Sequence, residues 1–318
     1  MLKVRESSSN EYRFGGHQTF ALRIAWLPKA AAAIERGEDP LTNPLDGVIN
    51  LGLGKNMVEA LRCWIDAFGV AQKIDQRWRL TPIGSAIFGA GGHDRFLEDE
   101  QTLWLMHWNI ATLRKAPFFA WELLINRWNE PNFSMSAVLE AFAEEAERTG
   151  RPLSAISARQ HLDVWLHTYL PSRSGRSEDG LDSPLSALRL VYPAGERQQP
   201  NGRREPIYAF DLERKTSIRQ ALFEYCIHDW WDAEFEHEET VGLRDITFGR
   251  SSPGRVFRMS ESEVRERLEL LSFSPNGSVE LIESLNQFVV RRRRKVNSFD
   301  LLARVYDWDA VAREKLDA

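Results

Sequence analysis

Three carboxylates fall within five residues at Glu178-Asp179-Gly180-Leu181-Asp182. Enzymes that hydrolyse phosphodiesters gather such groups around one or two divalent ions, Mg²⁺ or Mn²⁺, which activate water and steady the leaving oxygen. Glu178, Asp179 and Asp182 are therefore the candidate catalytic residues, with a divalent cation as the implied cofactor and no organic cofactor. The simpler reading is a helix start before Pro184, where the dipole favours acids. A second acidic group, His228, Asp229, Asp232, Glu234, Glu236 and His237, also has metal-ligand residue types. Here His237-Glu238 lacks the following histidine of a zinc-protease helix, and a solvated helix face is the plainer reading.

Other segments have the chemistry of phosphate binding. Gly52-Leu53-Gly54-Lys55-Asn56 looks like a phosphate loop but fails its spacing, because Ile49 stands where a glycine is needed and Asn56 where a Ser or Thr is needed. What remains is a helix start with free N–H groups beside a lysine. The run Arg291-Arg292-Arg293-Arg294-Lys295 could neutralise several phosphates, as could the loop carrying Arg197, Arg203 and Arg204. A solvated strand end explains either equally well. The formal net charge is -5 and the pI about 5.9, so any nucleic-acid contact depends on where cations gather, not on bulk charge.

The elements that would carry these residues are helices and short hairpins. Leu22 to Arg36 reads as a helix ended by Gly37, followed by helices at 45–51 and 55–68. Two strand-like runs, 70–74 and 78–80, flank the polar turn Asp75-Gln76, and Thr81-Pro82 opens a further helix. Helix, turn, helix, hairpin is the order of a winged helix-turn-helix, whose second helix enters the DNA major groove. That helix shows Lys55, Asn56, Glu59 and Arg62 on its polar side. Residues 99–130 read as a Trp-rich helical packing layer.

A helix is expected over 135–149, and another opened by a capping box at Ser157-Ala158-Arg159-Gln160, with Arg159 and His161 in its first turns. Strands at 188–192 and 207–212 then make a second winged unit with a long basic loop. The fold class expected is mainly α with small β-hairpins, a multi-helical array of tandem winged helix-turn-helix-like modules. Its domains are 1–98, 99–215, and a helical/β module over 216–318 that carries the basic run.

Composition agrees with a folded chain of 318 residues and 36.6 kDa, 43% hydrophobic, with mean hydropathy -0.40. Two cysteines, Cys63 and Cys226, exclude a disulfide framework or a cysteine zinc cluster. Apolar runs are broken early by charge or proline, and the first residues lack a signal-peptide core. A cytoplasmic location with no membrane contact is expected.

Phe14-Gly15-Gly16-His17-Gln18-Thr19-Phe20, with Leu22-Arg23 and Trp26-Leu27 after it, resembles the opening signature of the SspB-type proteins. Leu51 to Met57 with Trp64 resembles their second signature. The helix from Asp163 to Tyr169, the segment Glu178 to Leu188, and Ser252-Pro253-Gly254-Arg255-Val256-Phe257 match further on. The resemblance implies a DNA nickase of bacterial phosphorothioation defence, opening one strand so that a non-bridging phosphate oxygen can be replaced by sulfur. It implies double-stranded DNA as ligand, and a cysteine desulfurase, an ATPase and a sulfur-inserting enzyme as partners.

On that reading the DNA-binding residues are His17, Gln18, Arg23, Lys55, Asn56, Arg62, Arg159, His161, Arg203, Arg204, Arg291, Arg292 and Arg293. Asn56 would bond an adenine edge and Arg62 a guanine, while His17 has a packing role as its alternative. The competing readings are a non-catalytic winged-helix DNA-recognition adaptor or transcriptional regulator, and a scaffold whose winged modules bind protein.

Overall fold

The computed structural model describes residues 12–171, 183–199, 201–284 and 287–307. The chain begins with three helices and a hairpin. In α1 (Trp26–Glu35), Trp26, Leu27, Ala30 and Ala31 are buried, and the four residues before it turn instead of extending the helix. Asn43 caps α2 (Pro44–Leu51) by accepting from the Leu45 N–H, and Gly52 ends it with φ 67°. Helix α3 (Lys55–Ala67) buries Val58, Leu61, Trp64 and Ile65 on one face. Strands β1 (Ala71–Ile74) and β2 (Arg77–Leu80) pair antiparallel about Asp75 and Gln76, whose φ values of 47° and 66° give the twisted two-residue turn that hairpins favour. Thr81 caps α4 (Pro82–Phe88), where Gly84 is required because a Cβ there would lie 1.9 Å from the Val70 carbonyl oxygen.

The central helix α5 (Glu100–Ala111) is buried nearly all round, the pattern of a helix surrounded by other elements. Its indoles reach outward to polar partners: Trp104 donates to Ser217 Oγ at 3.0 Å and Trp108 to Asp229 at 2.9 Å. The continuous helix expected over 99–130 is interrupted at 112–118, where Ala116 has φ 46° and precedes Pro117, which disfavours helical backbone in the residue before it. The chain resumes as α6 (Phe119–Trp121) and continues as a π-helical stretch, Glu122–Arg127.

Strand β3 (Asn132–Ser134) leads into α7 (Met135–Thr149), closed by Gly150 at φ 65°. Helix α8 (Ala155–Tyr169) is capped by Ser154 and not Ser157, so the expected capping box lies one turn inside the helix. A 3₁₀ turn (Pro184–Leu188) precedes β4 (Val191–Gln198) and β5 (Arg204–Phe210), and the sheet order is β3-β5-β4. These strands run several residues further toward each other than expected, because polar pairs such as Arg197–Glu205 continue the ladder past the apolar part.

The last third repeats this arrangement. Helix α9 (Gln220–Glu234) is followed by β6 (Thr240–Gly242), then α10 (Leu243–Phe248), α11 (Pro253–Phe257) and α12 (Glu261–Phe273). Strands β7 (Val279–Ser284) and β8 (Gln287–Arg292) complete a sheet of order β6-β8-β7, and α13 (Ser298–Val305) packs back on α9. Both three-stranded sheets thus place a short leading strand beside the last strand of a hairpin. None of the helices is long and apolar enough to cross a membrane, among the described residues.

The 250–258 segment is clamped to the π-helical stretch by arginines. A π-helix end leaves carbonyls without helical partners, and the 252–258 segment supplies donors for them. Arg255 Nε donates to the Asn126 carbonyl at 3.2 Å, while Arg258 donates to the carbonyls of Trp128 at 3.2 Å and of Leu124. Arg250 adds a two-pronged pair with buried Glu122 at 3.0 and 3.1 Å. Burial brings the Arg258 guanidinium down to about 9, and its charge rests against the Phe210 ring at 3.9 Å. Arg258→Ala leaves two buried carbonyls unpaired and is expected to cost about 3 kcal/mol or more, read as a lower urea midpoint. A midpoint within experimental error of the parent would refute the clamp.

Candidate nucleic-acid interface

The first unit, residues 12–98, carries several exposed cations outside the ion pairs of the described residues. Lys55 and Asn56 stand exposed at the start of α3, which Gly54 opens without a side-chain cap, leaving its first N–H groups to solvent. On the hairpin, Lys73, Arg77 and Arg79 are exposed, and like Lys55 they belong to none of the ion pairs among the described residues. Arg77 and Arg79 lie on one face of β2, opposite Ile74 and Gln72. The hairpin is braced: the Thr42 hydroxyl donates to the Gln76 carbonyl at 3.0 Å, and Arg62 donates to the Thr42 carbonyl at 2.8 Å. Arg62 is thereby occupied in holding the α1–α2 loop and is not an open guanine reader. Gln18 is exposed and donates to Glu59 at 2.9 Å, and Arg23 lies over the Phe20 and Trp26 rings.

Elsewhere most sequence-selected cations have partners. On α8, Arg159 bonds Asp163 at 3.0 and 3.1 Å. Arg203 is exposed at the tip of the β4–β5 hairpin, and Arg204 faces Glu196 at 3.8 Å, both largely exposed. Arg291 binds Glu280 at 2.6 Å, Arg292 binds Asp232 at 2.5 Å and Arg293 approaches Glu280 at 3.7 Å. The basic run also stands at the end of β8 that pairs with β6, away from the β7–β8 turn. Five consecutive basic residues therefore line a mixed cleft opposite Glu236, Glu238 and Glu239.

The acidic group at 228–237 disperses in space. His228 faces inward to Ser278 Oγ at 2.6 Å, Asp229 accepts from Trp108, and Asp232 takes Arg292. Among the described residues no three His, Cys, Asp or Glu side chains are grouped to hold a metal ion. Glu178, Asp179 and Asp182 lie outside the described residues.

His17 and His161, selected as DNA contacts, are buried at 1% and 0% exposure and bond each other. The Ala120 N–H donates to His161 Nε2 at 3.0 Å, so the neutral ring carries its proton on Nδ1. That N–H donates to His17 Nε2 at 2.8 Å, and His17 Nδ1–H donates to the Gln18 carbonyl at 2.9 Å. Phe14, Trp64 and Phe118 surround the pair. A second relay runs deeper: Trp121 Nε1–H donates to Tyr169 Oη at 2.9 Å, Tyr169 O–H to His107 Nδ1 at 2.7 Å, and His107 Nε2–H to the Val256 carbonyl at 3.0 Å. Spacing alone did not reveal these pairings, although each histidine's apolar neighbours were a usable sign of burial.

Residues 14–306 match the model of the family described as a protein of unknown function, DUF4007, and the chain belongs to that family. No curated protein sequence matches it. Its fold is that of SspB. A magnesium ion-bound SspB crystal structure superposes with a TM-score of 0.76 at 23% identity, covering 92% of this chain and 86% of that one. Another SspB crystal structure gives 0.75 at 24%, with the same coverage. The resemblance carried by the opening signatures is thus borne out in the fold.

Burial holds all four inward histidines below the ordinary imidazole value: His17 is lowered, His161 is well below it, and His107 and His228 come down to about 4. The unfolded chain binds these protons near pH 6.5 and the folded chain does not. Stability from these sites is complete above that pH and falls as pH drops below it toward the folded values. Urea midpoints are expected to fall from pH 7.5 to pH 5, as the unfolding free energy drops with a slope approaching about 1.4 kcal/mol per pH unit for each histidine. A flat profile over that range would contradict neutral burial.

Proposed function

We propose that this protein is a DNA-binding component of a phosphorothioation defence system, in which it nicks duplex DNA. The observation that carries this reading is the SspB fold, shared over 92% of the chain. On this reading each unit is a winged helix-turn-helix: α2–α3, α7–α8 and α10–α12 are the helix pairs, and β1–β2, β4–β5 and β7–β8 the wings. The first unit grips the duplex. Lys55 and the open N–H groups of α3 take phosphates, Asn56 meets base edges, and Lys73, Arg77 and Arg79 follow the backbone beside the groove. Arg203 and Arg204 extend the contact from the second wing. A cysteine desulfurase, an ATPase and a sulfur-inserting enzyme complete the modification as partners.

A divalent cation would supply water activation for strand scission. Its candidate ligands Glu178, Asp179 and Asp182 lie outside the described residues, so no step is assigned to it. A second reading, an adaptor that positions DNA for a partner's chemistry, is favoured by the commitment of Glu122, Glu145, Glu205 and Asp232 to arginines.

Supercoiled plasmid incubated with the protein and Mg²⁺ or Mn²⁺ is expected to become open circular, and Glu178→Gln/Asp182→Asn to abolish conversion. Binding without conversion by the protein alone, with conversion once its partner enzymes are added, would favour the adaptor reading. Arg77→Glu/Arg79→Glu is expected to weaken binding to every sequence and to lower the salt slope by about 2, since each phosphate contact contributes about 0.9. An unchanged slope would remove the first wing from the interface. Asn56→Ala should instead flatten sequence preference, and an equal loss on all sequences would deny it base contact.

A further inference from the structure

Between α1, the end of α4 and the 95–96 turn, the structure leaves an open apolar cleft of about 420 Å³. Ile24, Pro28 and Ala32 form one wall, Phe88 lies at its floor, and Phe96 forms the other wall. Ile24 is 43% exposed and Phe96 66% exposed. Large apolar side chains grouped at a concave surface mark an interaction site more often than scattered ones do.

The turn that presents Phe96 is built to hold it outward. Buried Asp94 accepts the N–H of Glu98 at 2.8 Å and of Asp99 at 3.0 Å. Leu97, the next residue, is buried in the core with φ 62°, a left-handed backbone that a leucine adopts only when its surroundings force it. The ring is thus preorganised, and a partner meeting it loses little freedom on binding.

The charges select the partner. The cleft has two charged lining residues, Lys29 and Arg95, both cations and both exposed. Glu35, one turn beyond Ala32 on α1, is not a lining residue and accepts the Ala90 N–H at 2.6 Å. An aliphatic wall of small residues with cations on the rim fits an amphipathic segment with apolar side chains one turn apart and carboxylates flanking them. It fits nucleic acid poorly, because stacking platforms present several aromatic faces and this cleft exposes one.

We infer that this cleft is the docking site for such a segment of a partner protein, an apolar-acidic helix seated between α1 and the 94–97 turn. Lys55, Arg77 and Arg79 are not among the residues that line the seat, so the proposed DNA contacts are not used by it.

The test selects short random peptides, displayed on phage, against the immobilised full-length protein, then measures the recovered peptides by fluorescence anisotropy. Recovered sequences are expected to pair apolar residues at helical spacing with Asp or Glu. Phe96→Ser should weaken them at least about tenfold, as loss of a central anchor does. Lys29→Glu/Arg95→Glu should weaken them and remove their salt dependence. DNA affinity should be unchanged in both variants. The proposal is overturned by basic or purely polar peptides, by peptides that bind Phe96→Ser as well as the parent, or by failure to recover any peptide. Concentration-dependent dimerisation lost in Phe96→Ser would assign the cleft to a second copy, and oligo(dT) binding lost in that variant would assign it to single-stranded DNA. Either result also overturns it.

Discussion

A histidine sealed from water is stable in its uncharged form, and one ring nitrogen must then find a donor while the other finds an acceptor. The two relays meet that condition by using backbone groups as fixed ends. One begins at the Ala120 N–H and ends at the Gln18 carbonyl, and the other ends at the Val256 carbonyl. Each proton along them has one possible position. The first relay joins the N-terminal segment to α6 and α8. The second joins α6, α8, α5 and α11. Apolar packing around α5 would tolerate small slides between units, whereas a misplaced unit would strand a buried imidazole without its partner. The relative placement of the three units therefore depends on a few hydrogen bonds with no solvent to replace them.

Arginine is used in two ways along the chain. Arg250, Arg255 and Arg258 serve the interior, where a forked guanidinium reaches several acceptors at once. Arg267 does likewise within the third unit, bonding Glu263 and the carbonyls of Ile218 and Lys215. The buried ones, Arg258 and Arg267, hold charge that no ligand can use. Lys55, Arg77 and Arg79 are exposed and belong to none of the ion pairs among the described residues, so a chain of net charge -5 can still present a local basic surface. Arg291, Arg292 and Arg293 illustrate the converse, since density of basic residues in sequence gives less positive potential where acids fold against them.

Local signals in the sequence were read well where the residue carries its own physical reason. Thr81-Pro82 opens a helix as expected, and the helices expected over 45–51 and 135–149 end at Gly52 and Gly150 in left-handed backbone, because these effects need no tertiary partner. The 112–118 break, the long β4–β5 ladder and the β6-β8-β7 sheet were less legible. Each depends on contacts distant in sequence, and Thr240–Gly242 is too short to show a strand period. Site residues divide along the same line. The exposure of Lys55 and Asn56 follows from their place at a helix start, while the burial of His17 depends on a ring 144 residues away. Arg77 and Arg79 are separated in sequence by Trp78, yet strand alternation brings them to one face of the hairpin, while Lys73 lies on the other face beside Trp78.

The segments that make the family recognisable are mostly those that hold its units together. Gly16 approaches Cys63 so closely that a Cβ would lie 3.0 Å from its sulfur, His17 pairs with His161, and Trp64 donates to the Phe20 carbonyl. In the Ser252–Phe257 segment, Gly254 passes so near the Thr247 backbone that a Cβ would meet it at 2.6 Å, and Arg255 grips the π-helix end. Residues under such constraints fit few alternatives, whereas a phosphate contact accepts either Lys or Arg at several places on a wing. A motif made of joints therefore identifies the architecture while saying little about the ligand. Specificity would then sit on the exposed, replaceable positions: the start of α3, the outer face of β2, and the rim around Phe96. Members of the family could keep one framework and differ in what they bind by changing these surfaces, with no cost to the interior.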